Sequence, residues 1–199
     1  MLFTKKKRFE ITNSQIKEEL SAKDGTVVLK LNLKYPQIQC PKGDKLNVYA
    51  IPLYKKIALG LVQHAKGEIY KKALDSYNSE ATDFLPFSVV MNWENTFINE
   101  KYISILLDIS LGDNNGVSSQ KQTQVWDRKT GLKCNIGDFL SSDTVKRTKK
   151  DLKATKESAF FHKELFVLRE GAIEFFLMEK GNYIPFSIPF EISQNGCFA

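Results

Sequence analysis

The stretch Tyr-Ile-Ser-Ile-Leu-Leu-Asp-Ile-Ser-Leu, residues 102–111, decides the class of fold. Isoleucine or leucine stands at every odd position from 103 to 111, whereas Ser104, Asp108 and Ser110 stand between them. Alternation of apolar and polar residues with a period of two is typical of a strand with one buried face. We therefore predict a strand here, with Ser104, Asp108 and Ser110 on its polar face.

The residues on either side of this strand predict a meander. Residues 87–97 are a strand candidate before it, and Asn115-Gly116, a dipeptide typical of tight hairpins, leads to another at residues 120–126. A further turn is predicted at residues 127–131, where aspartate and glycine suit a turn backbone. Strands joined by short turns pair most simply in antiparallel fashion, so residues 86–139 are expected to form an antiparallel sheet.

More strands are predicted at both ends of the chain. Two hairpins are expected, over residues 14–35 with a turn at Asp24-Gly25 and over residues 164–178 with a turn at Glu170-Gly171. Pro36 and Pro41 are expected to close the first hairpin, with Cys40 between them in a loop. A last strand is predicted at residues 186–192, and Pro189, which has no N–H to donate, places that strand at a sheet edge or a bulge.

The spacing of apolar residues becomes helical from about residue 44 to residue 77. Steps of three and four residues connect Tyr54, Ile57, Ala58, Leu61, Ala65, Ile69, Ala73 and Tyr77. This spacing forms one apolar helix face, which we expect to pack on the sheet, with Pro52 in the first turn or at a kink. A second helix is predicted near residues 142–156, capped by Ser141 or Ser142. The predicted fold class is α+β, with antiparallel sheets packed against one long helix.

The length of the chain, 199 residues, suits a single domain. We predict a basic segment at residues 1–13 and one α+β module at residues 14–199, with halves at 14–100 and 101–199. No stretch approaches the roughly 20 apolar residues of a membrane span. Residues 9–13 are too polar for the core of a signal peptide, so a chain that starts natively at Met1 is expected to be cytoplasmic.

The chain carries a formal net charge of +6, and the excess is concentrated in two clusters. These are residues 5–8 and the set Lys146, Arg147, Lys149, Lys150, Lys153 and Lys156. Neither cluster is interleaved with aromatic residues or set on a motif that reads nucleic acid. The sequence therefore favours a solvated basic face, with nucleic-acid binding as an alternative.

No pattern of residues typical of catalysis or metal binding is present. His64 and His162 lie far apart, and Cys40, Cys134 and Cys197 lack the spacing of a zinc or redox motif. His64 is expected to form a surface ion pair with Glu68, one helical turn away. We therefore predict no metal, no cofactor and no enzymatic activity, and leave open whether two of the cysteines form a disulfide.

An enzymatic alternative depends on carboxylates of the predicted strands. Glu94, Asp108 and Asp127 could act on cell-wall glycan if two of them shared a cleft. Acid–base hydrolysis of a glycosidic bond needs two carboxyl groups about 5–10 Å apart. Distance along the sequence cannot place these side chains, so this alternative depends on the fold.

Short segments spread over nearly the whole chain follow one another in a characteristic order. They are residues 35–38 (YPQI), 86–90 (PFSVV), 102–105 (YISI), the turn 112–116, Asp127, 130–131 (TG), 136–140 (IGDFL), 166–168 (FVL), Gly171, 175–176 (FF) and 186–190 (FSIPF). In this order the chain resembles the exported sensor domain of RsiV-type anti-sigma factors. That domain of unknown function is also found in some peptidoglycan deacetylases.

The resemblance implies an α+β binding module in the cell envelope of a Gram-positive bacterium, outside the cytoplasm. Its partner would be a protein or a cell-wall ligand. RsiV-type modules bind lysozyme, a basic protein, which a chain of net charge +6 would repel at long range. The family's anti-sigma segment, membrane helix and deacetylase domain are absent from this sequence.

The turn at residues 112–116 is the predicted ligand-binding site. It consists of Gly112, Asp113, Asn114, Asn115 and Gly116. Binding residues concentrate on loops that a rigid scaffold carries, and this polar turn joins the two best-defined strands. Relatives usually carry a glycine-histidine turn at this position, whereas this chain has no histidine there. A simple hairpin turn without a binding role is the alternative.

Overall fold

A computed structural model describes residues 9–41, 45–79, 84–155 and 160–190. Its strands are β1 (Glu10–Ser21), β2 (Val27–Gln39), β3 (Phe87–Ile98), β4 (Tyr102–Asp113), β5 (Gly116–Asp127), β6 (Phe160–Arg169), β7 (Ala172–Glu179) and β8 (Asn182–Pro189). Its α-helices are α1 (Leu46–His64), α2 (Tyr70–Ser79) and α3 (Ser142–Thr155). The strands form a five-stranded sheet, β1-β2-β3-β4-β5, and a three-stranded sheet, β6-β7-β8. The predicted α+β class is confirmed.

The chain is divided into two compact units. One contains the residues up to Trp93 together with Leu107–Gln120, and the other contains Glu94–Leu106 together with the residues from Lys121 onward. Each of β3, β4 and β5 therefore contributes a segment to both units. The predicted halves, residues 14–100 and 101–199, divide the sequence at one point. Each compact unit, in contrast, consists of two separate stretches of the sequence. Residues 1–8 of the predicted basic segment lie outside the described residues.

The first unit begins with the predicted hairpin. β1 and β2 pair in antiparallel register around a turn in which Gly25 has a φ of +90°. The expected end at Pro36 is wrong, because β2 continues to Gln39 and Pro36 pairs with Asn13. The ladder between β2 and β3 ends at Leu33, so Pro36 lies beyond the part of β2 that has a strand on both sides.

A parallel ladder joins β2 to β3. Leu29 is paired with Phe87 and Leu33 with Met91. Parallel neighbours require a long crossover connection, and here the helical segment of residues 46–79 supplies it. Antiparallel sheets were predicted from the sequence, and this parallel pair was not.

The long helix is continuous from Leu46 to Ser79, with a π-helical turn, Ala65–Ile69, between α1 and α2. Pro52 lies inside α1 rather than in its first turn. The residues that the helix buries most deeply, each with no exposed surface, are Leu46, Ala50, Tyr54, Ala58, Ala65 and Ala73. Ile57, Leu61 and Ile69 of the predicted apolar face are partly buried and pack against the cluster that includes Leu29, Leu31 and Leu33. The helix thus covers β2, as the spacing predicted.

In the second unit, strand β4 is buried on both faces. Tyr102 to Leu106 are all buried, and Ser104 has no exposed surface. The prediction that Ser104 lies on a solvated polar face is therefore wrong. Its hydroxyl group accepts a hydrogen bond from the backbone N–H of Leu168 in β6 at 3.0 Å, and another from Thr96 at 2.8 Å.

Strands β6, β7 and β8 and helix α3 complete the second unit. Gly171, with a φ of +70°, forms the predicted turn between β6 and β7. Strand β8 begins at Asn182 rather than 186 and ends at Pro189, at the edge of its sheet as expected. The side chain of Ser141 accepts a hydrogen bond from the N–H of Thr144 and caps α3. None of the described helices is both long and apolar enough to cross a membrane.

Candidate functional site

The predicted binding turn lies at the end of β4 and the start of β5. The side chain of Asp113 accepts a hydrogen bond from the N–H of Asn115 at 2.8 Å. The amide of Asn114 donates to the hydroxyl of Ser76, in helix α2, at 2.8 Å. A Cβ atom on Gly112 would lie 2.5 Å from the hydroxyl oxygen of Ser88, so only glycine fits there without a shift. These hydrogen bonds therefore hold the turn, and the side chain of Asn114 connects it to helix α2.

A cavity of about 380 Å³ opens beside this turn. Four of the five turn residues line it, and Asn114, which bonds to the helix, is the exception. The other lining residues are His64, Ile69, Lys72, Phe87, Leu111, Val117 and Ser118. We call this space the turn cavity. Its volume lies within the range of about 300–1,000 Å³ that small-ligand sites occupy.

The π-helical turn explains why these helix residues meet at the cavity. In an α-helix, residues five apart point in different directions, whereas a π-turn bonds residue i to residue i+5 and rotates them toward the same side. His64 precedes the turn Ala65–Ile69 and Ile69 ends it, five residues apart, and both line the cavity. The α-helical spacing of the sequence does not predict this grouping.

The charged groups at the turn cavity are few. His64 lies 3.7 Å from Glu68 and forms the helix-surface pair that the sequence indicated. Lys72 supplies a cation and Asp113 a carboxylate that is already bonded within the turn. Apolar side chains of Ile69, Phe87, Leu111 and Val117 form much of the remaining wall. Such a wall accommodates an apolar body, and the polar rim can orient a few hydrogen-bonding groups.

A second cavity, of about 570 Å³, lies in the second unit. Asp127 and Asp138 both line it, and both carboxylates accept backbone N–H bonds within their own loop. Burial raises the pKa of the neighbouring Cys134 thiol to about 12, and Asp138 and Asp127 add to the rise. A thiol with so high a pKa is neutral at physiological pH and therefore a poor nucleophile.

The three strand carboxylates of the enzymatic alternative do not all belong to one compact unit. Glu94 forms an ion pair with Arg169, which also bonds Glu174 at 3.0 Å. Asp127 accepts hydrogen bonds from the N–H and hydroxyl of Thr130. Asp108 belongs to the other compact unit. Glu94 and Asp127 thus have structural partners, and none of the three lines the turn cavity.

Within the described ranges, no three histidine, cysteine, aspartate or glutamate side chains gather in the manner of a metal site. Cys40 and Cys134 are buried thiols, and Cys197 lies outside the described residues. In helix α3, Arg147, Lys149 and Lys150 are exposed and Lys146 lies 3.8 Å from Asp143. Lys156 and the side chain of Lys153 fall outside the described residues.

The fold is shared with solved structures of very different sequence. No family model and no curated protein matches the chain. A member of the DUF3298 family from Bacteroides fragilis matches with a TM-score of 0.64 and 8% identity, over 92% of this chain and 91% of its own. A DUF3298 family protein from Pseudomonas aeruginosa matches with a TM-score of 0.58 and 12% identity, over 92% of each chain. The chain therefore has the α+β fold of domains of unknown function of the DUF3298 type.

Proposed function

We propose that this chain is a non-enzymatic recognition module that binds a protein or cell-wall ligand in the turn cavity. The observation that carries the proposal is a preformed cavity of small-ligand size beside a turn held by hydrogen bonds. A site that is rigid before binding loses little conformational entropy when its ligand arrives. The predicted residues Gly112, Asp113, Asn115 and Gly116 supply one wall of it.

The chemistry of the walls suits a group with an apolar body and a polar periphery. Phe87 and Leu111 offer apolar surface, whereas Lys72 and Ser118 offer donors. A side chain of a protein partner or a sugar–peptide unit of the cell wall has this character. The net charge of +6 favours a neutral or acidic ligand over a basic protein at long range.

We favour binding over catalysis at the turn cavity because its carboxylate already has a hydrogen-bond partner. Asp113 contributes the carboxylate among the residues that line the turn cavity, and it accepts the N–H of Asn115. General acid–base chemistry needs a group positioned to exchange a proton with the substrate. Here the carboxylate holds the turn instead.

The cellular role that we propose is that of a sensor in the envelope of a Gram-positive bacterium. It rests on the order of segments in which the chain resembles the RsiV-type sensor domain, whereas the DUF3298 proteins from Bacteroides fragilis and Pseudomonas aeruginosa share the fold alone. In that role the module signals occupancy to another component and performs no reaction.

Cosedimentation with peptidoglycan tests the proposal. Purified Gram-positive sacculi, soluble muropeptides and lysozyme are offered separately to the parent protein and to Val117→Trp. Val117 lines the turn cavity and is 76% exposed, so tryptophan can fill the cavity without disturbing the core. Leu85→Trp, at a residue 71% exposed and not among the lining residues, is the matched control.

Binding of one of these ligands that Val117→Trp abolishes and Leu85→Trp retains would support the proposal. Equal binding by both variants would contradict the turn cavity as the site. Turnover of the muropeptides by the parent protein, followed by mass spectrometry, would contradict the non-enzymatic role.

A further inference from the structure

Helix α1 is apolar on two opposite faces. One face buries Ala50, Tyr54 and Ala58. The other exposes Val48 by 62%, Tyr49 by 52% and Leu59 by 45%. This outer face is open among the residues that the structure describes.

The outer apolar residues form one stripe. At 3.6 residues per turn, Val48, Pro52 and Leu59 fall within an arc of about 40°. Tyr49 lies on one flank of the arc. We call Val48, Tyr49, Pro52 and Leu59 the outer stripe. Single exposed apolar residues are ordinary on protein surfaces, but residues aligned along one helix face indicate an interaction surface.

Lysines lie beside and between the residues of the outer stripe: at 3.6 residues per turn, Lys45 and Lys56 fall between Pro52 and Tyr49. Residues 45–67 contain four lysines and no aspartate or glutamate. Lys66 is paired with Glu18 at 2.6 Å. Lys45, Lys55 and Lys56 are exposed, and within the described part of the chain no ion pair joins them to an acidic residue. The outer stripe therefore complements a surface that is both apolar and anionic.

We propose that the outer stripe docks on an anionic lipid bilayer, with α1 lying in the plane of the membrane surface. Interfacial helices place apolar residues among the acyl chains and lysines among the headgroups. The aliphatic stems of Lys55 and Lys56 are long enough for their ammonium groups to reach the headgroups while the outer stripe inserts among the acyl chains. A second copy of the chain is a poorer occupant, because a two-fold contact would set these lysines against themselves.

Vesicle cosedimentation tests this docking. The parent protein is mixed with vesicles of phosphatidylcholine alone or of phosphatidylcholine with phosphatidylglycerol. At least about fivefold more protein is expected to sediment with the anionic vesicles, because the bilayer's negative potential attracts the lysines. Raising the salt concentration from about 0.1 M to about 0.5 M is expected to reduce this binding, since screening shortens the reach of charge.

Paired variants separate the two contributions. Val48→Asp with Leu59→Asp should abolish binding, and Lys55→Gln with Lys56→Gln should weaken it about threefold or more. Lys149→Gln with Lys150→Gln removes equal charge from the exposed face of α3 and should bind like the parent protein. Circular dichroism checks that each variant is folded, and all the replaced side chains are exposed.

A fluorescence measurement reports insertion directly. In Tyr49→Trp, lipids brominated on their acyl chains should quench emission beyond the level seen in the parent protein, which contains Trp93 and Trp126. The proposal would be overturned if the parent protein failed to bind anionic vesicles, or if the Lys149/Lys150 control lost as much vesicle binding as the Lys55/Lys56 variant. Unquenched emission from the introduced indole would also overturn it. Binding to soluble polyglutamate without binding to vesicles would overturn it in favour of an acidic polypeptide. The turn cavity takes no part in these measurements, so they are independent of the proposed function.

Discussion

The backbone N–H of Leu168 donates a hydrogen bond to the side-chain oxygen of Ser104, 3.0 Å away. Both residues have no exposed surface, and they belong to strands of different sheets within the second unit. The serine hydroxyl therefore provides an acceptor for a backbone N–H of β6 that the strand ladder leaves unpaired. A buried amide without such a partner is costly.

Replacing Ser104 tests the value of that bond. Ser104→Ala leaves the Leu168 N–H without its acceptor, so unfolding free energy should fall by about 1–3 kcal/mol. Ser110→Ala, at a half-buried serine of the same strand, should change it by less than about 0.5 kcal/mol. Urea denaturation measures both. Equal stabilities of the two variants would show that the Ser104 bond adds nothing.

The turn between β1 and β2 contains a carboxylate with a shifted pKa. The hydroxyl group of Tyr77 donates to Asp24 at 2.7 Å and lowers the pKa of that carboxyl below its ordinary value of 3.8. The charged form is thus favoured in the folded protein. Its contribution to stability is present above the ordinary value and is lost as pH falls through the lower, folded-state pKa. In Tyr77→Phe the pKa of Asp24 should rise, as read from carboxyl NMR shifts; an unchanged pKa would contradict this role.

The thiol of Cys134 should make stability fall at high pH. Burial raises its pKa from 9.0 to about 12, so the folded state holds the proton more tightly than the unfolded chain. The stabilisation is complete below pH 9 and declines as pH rises toward 12. Thermal melts from about pH 8 to about pH 11 should show a steeper decline for the parent protein than for Cys134→Ser. Parallel declines would indicate that other groups govern the alkaline limit.

We predict that glycine is favoured at residue 112 because Ser88 lies close to it, and not because of its backbone angle. Gly112→Ala would set a Cβ atom 2.5 Å from the hydroxyl oxygen of Ser88, which would have to leave its rotamer, and should destabilise the protein by about 0.5–1.5 kcal/mol. Ser88→Ala removes that oxygen and leaves the Cβ of residue 88 at 3.8 Å. The double variant should therefore recover most of the loss in chemical denaturation. A strictly additive result would rule out this contact as the cause.

The turn residues can be tested once a ligand of the turn cavity is identified. Asp113→Ala with Asn114→Ala removes the two side-chain bonds that hold the turn, so affinity should fall about tenfold while Tm changes by only a few degrees. Lys149→Glu with Lys150→Glu, on α3, should alter affinity less. Titration calorimetry and thermal melts provide the two readouts. The reverse ranking would place the partner on the basic helix.

Local patterns in the sequence were sufficient to predict most of the fold. Asp24-Gly25 and Glu170-Gly171 carry the turn chemistry that a hairpin needs, and both hairpins formed where these pairs predicted them. The helix that covers β2 followed from apolar spacing. Such features depend on residues close together in the chain, which a single sequence displays.

The features that were missed depend on distant residues or on an irregular backbone. The parallel pairing of Leu29 with Phe87 leaves no local signal in either strand. Ser104 is polar, so alternation placed it outside, whereas its buried partner is the N–H of Leu168. The cavity residues His64 and Ile69 are brought together by a π-turn, which no α-helical period anticipates. The turn at residues 112–116 was predicted, but the helix residues that line the cavity beside it were not.

The parallel ladder between β2 and β3 constrains how the chain is made. As the nascent chain leaves the ribosome, β2 can pair with β1 at once, but its other edge stays open until residues 87–91 have been synthesised. An open edge of alternating leucines is a template for pairing with foreign strands, and long-range ladders form slowly. Expression fragments that end within the long helix are therefore expected to aggregate. A viable N-terminal fragment must extend at least through β3.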